Sequence, residues 1–381
     1  MSDTRIDFLY LNEKDMIDAG VLDAGHCVET MEEVLCLLAK GDVLMGGKNR
    51  REHGIQLIFP KESEIPGFPL EDSRDRRFMS MPAYLGGRFH LAGEKFYGSN
   101  GRNVRKGLPR SILMATLNDV ETGAPLAYMS ANLLSSMRTG AMPGLATKLL
   151  AREDSKVLTM LGAGPIAKAC FRAIMTNAKN IDTVKIKEGS LKSKTAAALK
   201  EFIETHYKQV KEVIICETLE EAVRGSDIIS ESVSVKPGQY PTYKKEWLKP
   251  GVTLIATSFF NMDKKELVGI RKVVDNWKMY EEYGIEDEEG YDENGMRKAT
   301  GCMGEEFYYM VEDGLITRDS IDHLGEIIRG KKPGRKSDDE IIFVAIEGMP
   351  IEDVAWGSEI YRNAVDHGIG TQLKIWDHSS R

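Results

Sequence analysis

The stretch from Lys156 to Ala167, KVLTMLGAGPIA, restricts this chain to few folds. Val157-Leu158-Thr159-Met160-Leu161 is an apolar run of strand type that leads directly into Gly162-Ala163-Gly164-Pro165-Ile166-Ala167. The residues that follow, AKACFRAIMTNA, carry helix formers with apolar positions at helical spacing. The order is strand, tight glycine turn, helix. Gly162 permits the turn, and Gly164 lets the backbone approach a pyrophosphate. Ala167 takes the place of the usual third glycine at the helix–strand contact, and Pro165 suits a first helical turn, where its missing N–H costs little. The helix N-terminus, with Ile166 in its first turn, then faces a doubly charged ligand. A bland glycine turn can carry the same string, so the surrounding sequence has to decide. A second strand, Thr183-Val184-Lys185-Ile186-Lys187, ends at Glu188, about 20 residues past the turn, where an acid that binds a ribose hydroxyl belongs.

Beyond Glu188 the alternation continues, with helix over 192–207, strand over 213–216, a short helix over 219–224, and strands over 227–230, 252–257, 272–275 and 341–346. Strands alternating with helices predict a parallel, doubly wound sheet of Rossmann type. The N-terminal part reads differently. A short strand at 8–11 and a helix at 27–40 precede an irregular stretch, 46–75, rich in Gly, Pro and basic residues. Strand-like pieces at 77–84, 90–97 and 111–117 then predict a mixed or antiparallel sheet. Segment 130–150 predicts a helix interrupted at Pro143-Gly144, which connects the domains, and a helix at 351–364 follows the last strand and returns to the first domain.

At 381 residues, with 42% hydrophobic and 29% charged residues, the chain has the composition of a two-domain globular protein. A net charge of −8 argues against nucleic-acid and anionic-membrane partners. No apolar run approaches the ~20 residues that span a bilayer, and the N-terminus has no signal-peptide pattern, so a cytoplasmic location is expected. Cys27, Cys36, Cys170, Cys216 and Cys302 are odd in number and scattered, which fits reduced thiols rather than a disulfide framework. Neither they nor the seven histidines show metal-ligand spacing, and the acidic stretch 281–293 does not match a calcium loop, so no metal is expected.

Several stretches together resemble the ornithine cyclodeaminase/mu-crystallin family: Met81-Pro82-Ala83, Glu94-Lys95, Asp119-x-x-Thr122-Gly123-x-Pro125-Leu126, Arg138-Thr139-Gly140-Ala141, Gly162-Ala163-Gly164, Ser226-Asp227-Ile228-Ile229, Lys332-Pro333-Gly334-Arg335 and Gly348-x-x-x-Glu352-Asp353. They run in the family's order. The resemblance implies an α/β fold in which a Rossmann domain is inserted in a second, α+β, substrate-binding and dimerisation domain, and it implies a homodimer. The expected segments are 1–134 for the first part of that second domain, 135–350 for the Rossmann domain, and 351–381 for the returning helix. Family members act on amino acids, imino acids or cyclic ketimines with NAD(H) or NADP(H), anchoring the substrate carboxylate with basic groups. Lys95 and Arg138 match two of those groups by motif, and a third is expected from Lys48-Asn49-Arg50-Arg51, at Arg50 or Arg51. A buried carboxylate needs opposite charges, and an arginine can bind it bidentately. Without the motif match, Lys95 reads as an exposed strand lysine and Arg138 as a structural ion pair.

Two departures from the family bear on the reaction. Ornithine cyclodeaminases carry an aspartate after the strand matching 253–257 and a glutamate before the Met-Pro pair, where this chain has Phe260 and Met79. Neither side chain accepts a proton. Asp263 is the nearby substitute, and the pair Phe259-Phe260 reads either as an apolar substrate wall or as an aromatic core pair. The favoured expectation is therefore hydride transfer between nicotinamide C4 and C2 of an amino acid or its imine, with Lys95 as acid and base and Tyr97 or His53 in reserve. The alternatives are ornithine cyclisation to proline and a non-catalytic NAD(P)-binding regulator. Glu188 favours NAD(H), whereas Ser190, Lys192 and Lys194 could bind the extra phosphate of NADP(H); NAD is the expected cofactor, with NADP possible.

Overall fold

A computed structural model describes residues 4–71, 73, 75–189, 191–233, 240–286, 290–291, 297–298 and 301–379. The chain divides into two compact units: Met1–Asp23, Lys40–Arg138 and Gly348–Arg381 form the first, and Ala24–Ala39 with Thr139–Glu347 the second. One element departs from the expected segments. The helix Ala24–Lys40, read as part of the first domain, lies almost wholly in the second unit, where a Cβ on Gly325 would meet the Leu35 carbonyl at 2.7 Å and Arg329 donates to the Ala39 carbonyl at 3.0 Å. Its apolar stripe of Cys27, Met31, Val34 and Leu35 is fully buried, and no local pattern says against what.

The first unit is built on β1 (Ile6–Leu11), β2 (Val43–Met45), β3 (Ile55–Ile58), β4 (Arg77–Leu85), β5 (Leu91–Ser99), β6 (Ser111–Asp119), β7 (Pro125–Ser130) and a C-terminal strand, Thr371–Trp376. Their order is C-terminal strand, β1, β7, β6, β5, β4, β2, with β3 also on β4; only β1–β7 is parallel. Two-residue periodicity sets the faces. In β4, Met79, Met81, Ala83 and Leu85 are buried, while Ser80, Pro82 and Tyr84 between them are half-buried and Phe78 before them is exposed. The inner face is covered by the helix Pro350–His367, which packs on β4, β5 and β6. Lys95 points inward in a row that reads Met81, Lys95, Ala115, Met129 across four strands.

The second unit carries β8 (Val157–Leu161), β9 (Thr183–Lys187), β10 (Glu212–Ile215), β11 (Ile228–Glu231), β12 (Thr253–Ala256), β13 (Arg271–Val274), β14 (Ile321–His323) and β15 (Ile342–Ala345). The order β10-β9-β8-β11-β12-β15-β13-β14 is parallel throughout, which is the expected doubly wound Rossmann sheet. Strand order reverses between β8 and β11, so the crevice that receives a ligand in such sheets lies at their carboxyl ends. The helix Asn132–Leu150 runs unbroken through Pro143, contrary to the expected interruption. Its packing accounts for that: a Cβ on Gly140 would lie 2.4 Å from the Ala169 carbonyl carbon, and one on Gly144 2.7 Å from the Ala173 Cβ. Two small residues thus seat this helix against the helix Pro165–Asn177, and packing outweighs the local cost of the proline.

Candidate active site

In the second unit the glycine turn has the geometry its sequence demands. Gly162 sits at φ +99°, in the left-handed region, and donates to the Lys187 carbonyl at 3.0 Å. Ala163 is buried, and Gly164 is the N-cap of the helix Pro165–Asn177, with Pro165 in the first turn and Ile166 half-buried beside it. Gly164 has no left-handed constraint, and a Cβ there would meet nothing within 4 Å. The glycine therefore keeps space open above a helix N-terminus, as a pyrophosphate requires. Glu188 stands half-buried just past the end of β9; its Oε2 accepts from Ser193 Oγ at 3.0 Å and from Thr195 Oγ1. Lys192 is exposed beyond it, and Ser190 lies outside the described residues. These residues fit a dinucleotide.

In the first unit β5 and the start of the helix Asn132–Leu150 bring Lys95 and Arg138 together, and both are 3% exposed, so neither is an exposed strand or surface cation. Lys95 Nζ lies 2.8 Å from Asp353 Oδ2 and donates to Ser135 Oγ at 3.1 Å. Arg138 Nε donates to Asp353 Oδ1 at 3.0 Å and Nη1 to Glu352 Oε2 at 2.7 Å, with Nη2 at 3.4 Å from Ser135 Oγ. Two cations and two carboxylates thus form one buried quartet. Glu352 and Asp353 occupy the first turn of the helix Pro350–His367, and Gly348 just before it lets the guanidinium in: a Cβ there would lie 2.2 Å from Arg138 Nη1. Burial and then the Arg138 charge push Lys95 down to about 8, against the pull of Asp353 and Glu352. Burial also opposes the charge of Arg138, but Asp353 and Glu352 outweigh it and raise the guanidinium.

The reserve groups separate clearly. His53 is half-buried, and burial followed by the Lys95 and Arg138 charges pushes it down to about 3, so it is a neutral imidazole at pH 7. The Tyr97 hydroxyl reaches the Met79 sulfur at 3.0 Å, and its ring lies 5.9 Å from Lys95 Nζ. Arg50 is exposed with φ 60°, while Arg51 is half-buried and donates from Nη1 to the Val43 carbonyl at 2.9 Å; its described hydrogen bonds stay within that loop.

Sequence reasoning missed the two carboxylates and Ser135 as members of the site. The signal was present in Gly348-x-x-x-Glu352-Asp353, but spacing along the chain does not reveal a pairing across more than 200 residues. Phe260 stacks on Phe343 at 5.0 Å and meets Tyr243 at 4.3 Å, and Phe259 meets Tyr240 at 4.6 Å, so this pair belongs to the aromatic core. Asp263 is exposed and caps a short helix by accepting from the Lys265 N–H. Neither it nor Phe260 nor Met79 supplies a buried carboxylate. Among the described residues no group of three or more His, Cys, Asp or Glu could hold a metal, and no helix is long and apolar enough to cross a membrane.

A Rossmann unit inserted in a mixed-sheet unit with buried cations defines a class of two-domain nucleotide-dependent proteins. The chain belongs to the ornithine cyclodeaminase/mu-crystallin family, whose model matches residues 22–368. It is 27% identical over 375 residues to N-((2S)-2-amino-2-carboxyethyl)-L-glutamate dehydrogenase of Staphylococcus aureus, covering 97% of this chain and 99% of that one. An archaeal alanine dehydrogenase dimer with bound NAD superposes with a TM-score of 0.75 at 27% identity, covering 97% of this chain and all (100%) of the other. The Delta(1)-pyrroline-2-carboxylate reductase of Thermococcus litoralis, solved with NADH and L-proline, gives 0.74 at 25% identity, covering 96% of this chain and 100% of that one.

Proposed function

We propose that this protein is an NAD(P)-dependent oxidoreductase that moves a hydride between nicotinamide C4 and C2 of an amino acid or its imine. The observation that carries the reading is the buried quartet of Lys95, Arg138, Glu352 and Asp353. Dehydrogenase and reductase relatives acting on amino acids and a cyclic imino acid support it. A bound nicotinamide supplies or accepts the hydride. Arg138 retains N–H donors beyond those given to Asp353, Glu352 and Ser135, and these hold the substrate carboxylate. Lys95, with two of its three N–H groups given to Asp353 and Ser135, attracts it by charge and keeps the third for the imine nitrogen. Lys95 in its ammonium form donates a proton to the imine nitrogen; in the reverse direction neutral Lys95 takes it back. Arg51 is the better placed of the two loop arginines to assist, because it is half-buried and Arg50 is exposed.

Glu188 supports NAD(H) over NADP(H), since a carboxylate repels a 2′-phosphate. The outer face of the first sheet supports a homodimer. Phe78 stacks on Phe96 at 6.0 Å and Tyr10 on Tyr128 at 6.5 Å, and Phe78, Phe96 and Tyr10 are all exposed. The structural relative with bound NAD is a dimer. Five free cysteines support a reducing, cytoplasmic setting. Purified protein supplied with NADH or NADPH should reduce cyclic ketimines or mixtures of 2-oxo acid and amine. Nucleotide binding with no turnover across that panel and no oxidation of amino acids would select a binding role instead. Proline and ammonia formed from ornithine without net NADH would select cyclisation, which Phe260, Met79 and Asp263 speak against.

A further inference from the structure

Glu231 closes β11 at the carboxyl edge of the Rossmann sheet and is 0% exposed. It pairs with Leu161 of β8 on one side and Ala256 of β12 on the other, so it stands at the point where strand order reverses. Its Oε1 accepts the Val233 N–H at 2.9 Å, and its Oε2 accepts the Ser258 hydroxyl at 2.6 Å. The Ser258 backbone N–H is a third donor. Val233 belongs to the chain leaving β11 and Ser258 to the chain leaving β12. Between Glu231 and Val233, Ser232 donates to the Leu161 carbonyl at 2.9 Å, and its own carbonyl lies 3.0 Å from the position of a Cβ on Gly162.

We propose that Glu231 is a positioning residue of the dinucleotide site: its carboxylate ties the chain leaving β11 to the chain leaving β12 and thereby holds Ser232 against the Gly162 turn. This rests on the glycine turn being the nucleotide site. A core position that needed only filling would take a leucine or methionine, because a buried carboxylate is costly and here burial pushes it up to about 7. What the ionised carboxylate adds is an acceptor-only group that satisfies several donors from two segments at once. An apolar residue would orphan the Val233 and Ser258 N–H groups, and the two segments would part to reach water. The titratable neighbours that couple to it, the Cys170 thiol and the Tyr243 phenol, are pushed up by burial and stay neutral at pH 7, leaving the donors to set the geometry.

Glu231→Gln tests this with little change of volume, since the amide places an NH2 group where an acceptor is needed. Its Kd for NADH should rise at least tenfold, while KM for the amino- or imino-acid substrate at saturating nucleotide changes less than twofold. Ser258→Ala should raise Kd less, and the double variant should be no worse than Glu231→Gln alone, because both act through one contact. Thr159→Val removes a buried hydroxyl on β8 of the same sheet that donates to the Ala222 carbonyl of the short helix Leu219–Val223, and serves as the stability control. A wild-type Kd in Glu231→Gln, or an equal rise in Thr159→Val at matched loss of Tm, overturns the proposal. Normal NADH binding by the native protein in that case leaves the glycine-turn reading intact; no NADH binding by the native protein overturns both.

Discussion

Arg138→Lys separates what the quartet does for the fold from what it does for a substrate. The guanidinium spans two carboxylates, with Nε to Asp353 at 3.0 Å and Nη1 to Glu352 at 2.7 Å, and a single ammonium cannot hold both geometries. Asp353 keeps Lys95 at 2.8 Å, so the loss falls on the Arg138 contact to Glu352, which also accepts from the Met349 N–H at 3.3 Å. Breaking a buried ion pair costs about 3–5 kcal/mol. At about 2–4 °C per kcal/mol for a unit of this size, Tm should fall by roughly 6–20 °C. Adding Glu352→Gln removes the charge whose ion pair was broken and should restore much of that loss. If Arg138 also binds the substrate carboxylate, kcat/KM measured well below Tm should fall by one to two orders of magnitude, about 1.4–2.8 kcal/mol, with nucleotide affinity unchanged. Calorimetry and steady-state kinetics on the one variant read both quantities. An unchanged Tm would refute the quartet argument, and an unchanged kcat/KM would remove Arg138 from the substrate site.

Lys95, held at about 8, gives opposite pH limbs: imine reduction needs the ammonium and should fall as pH rises through about 8, whereas amino-acid oxidation needs the free amine and should rise over the same interval; Lys95→Met should lose both, and limbs of the same sign would exclude it as the proton carrier. Gly164→Val should keep the fold, because nothing lies within 4 Å and the backbone is not left-handed, yet raise the NADH Kd by about a hundredfold or more; unchanged affinity would move the nucleotide elsewhere. Glu188→Ala should weaken NADH more than NADPH in a binding titration, and equal losses would mean that its carboxylate does not touch the ribose. Phe96→Glu, on the exposed aromatic face, should convert a dimer to a monomer in analytical ultracentrifugation; an unaltered sedimentation coefficient would place the interface on another surface.

What the sequence revealed was what lies close together along it. The Gly162 turn, the strand that ends before Glu188, and the strand at 77–84 depend on neighbours a few residues apart, and each formed as read. The strand Thr371–Trp376 was not anticipated, because it is exposed throughout and exists only through its pairing with β1 at the other end of the chain. The helix expected at 27–40 forms over Ala24–Lys40 and groups with the second unit, because an apolar stripe states that it is buried and not by what. At the site, the cations were found by motif. Their carboxylates stand more than 200 residues from Arg138, and two acidic residues at a helix start read first as dipole partners of that helix.

If Lys95 is the proton donor, as proposed, the quartet lets substrate binding prepare it. Lys95 and Arg138 balance Glu352 and Asp353, so the buried cluster is neutral before a carboxylate enters. His53 adds no charge, because it is pushed down to about 3. A substrate carboxylate bound there, as proposed, would add one uncompensated negative charge beside Lys95, and a nearby anion favours the ammonium. Lys95 would then be driven upward from about 8, toward full protonation at neutral pH, when an imino acid is bound. The alkaline limb for imine reduction should accordingly lie at higher pH in kcat, which reports the bound enzyme, than in kcat/KM, which reports the free one. Coincident limbs would mean that the substrate carboxylate sits too far from Lys95 to act on it, and the anchoring role would pass to Arg51 and Arg138 alone.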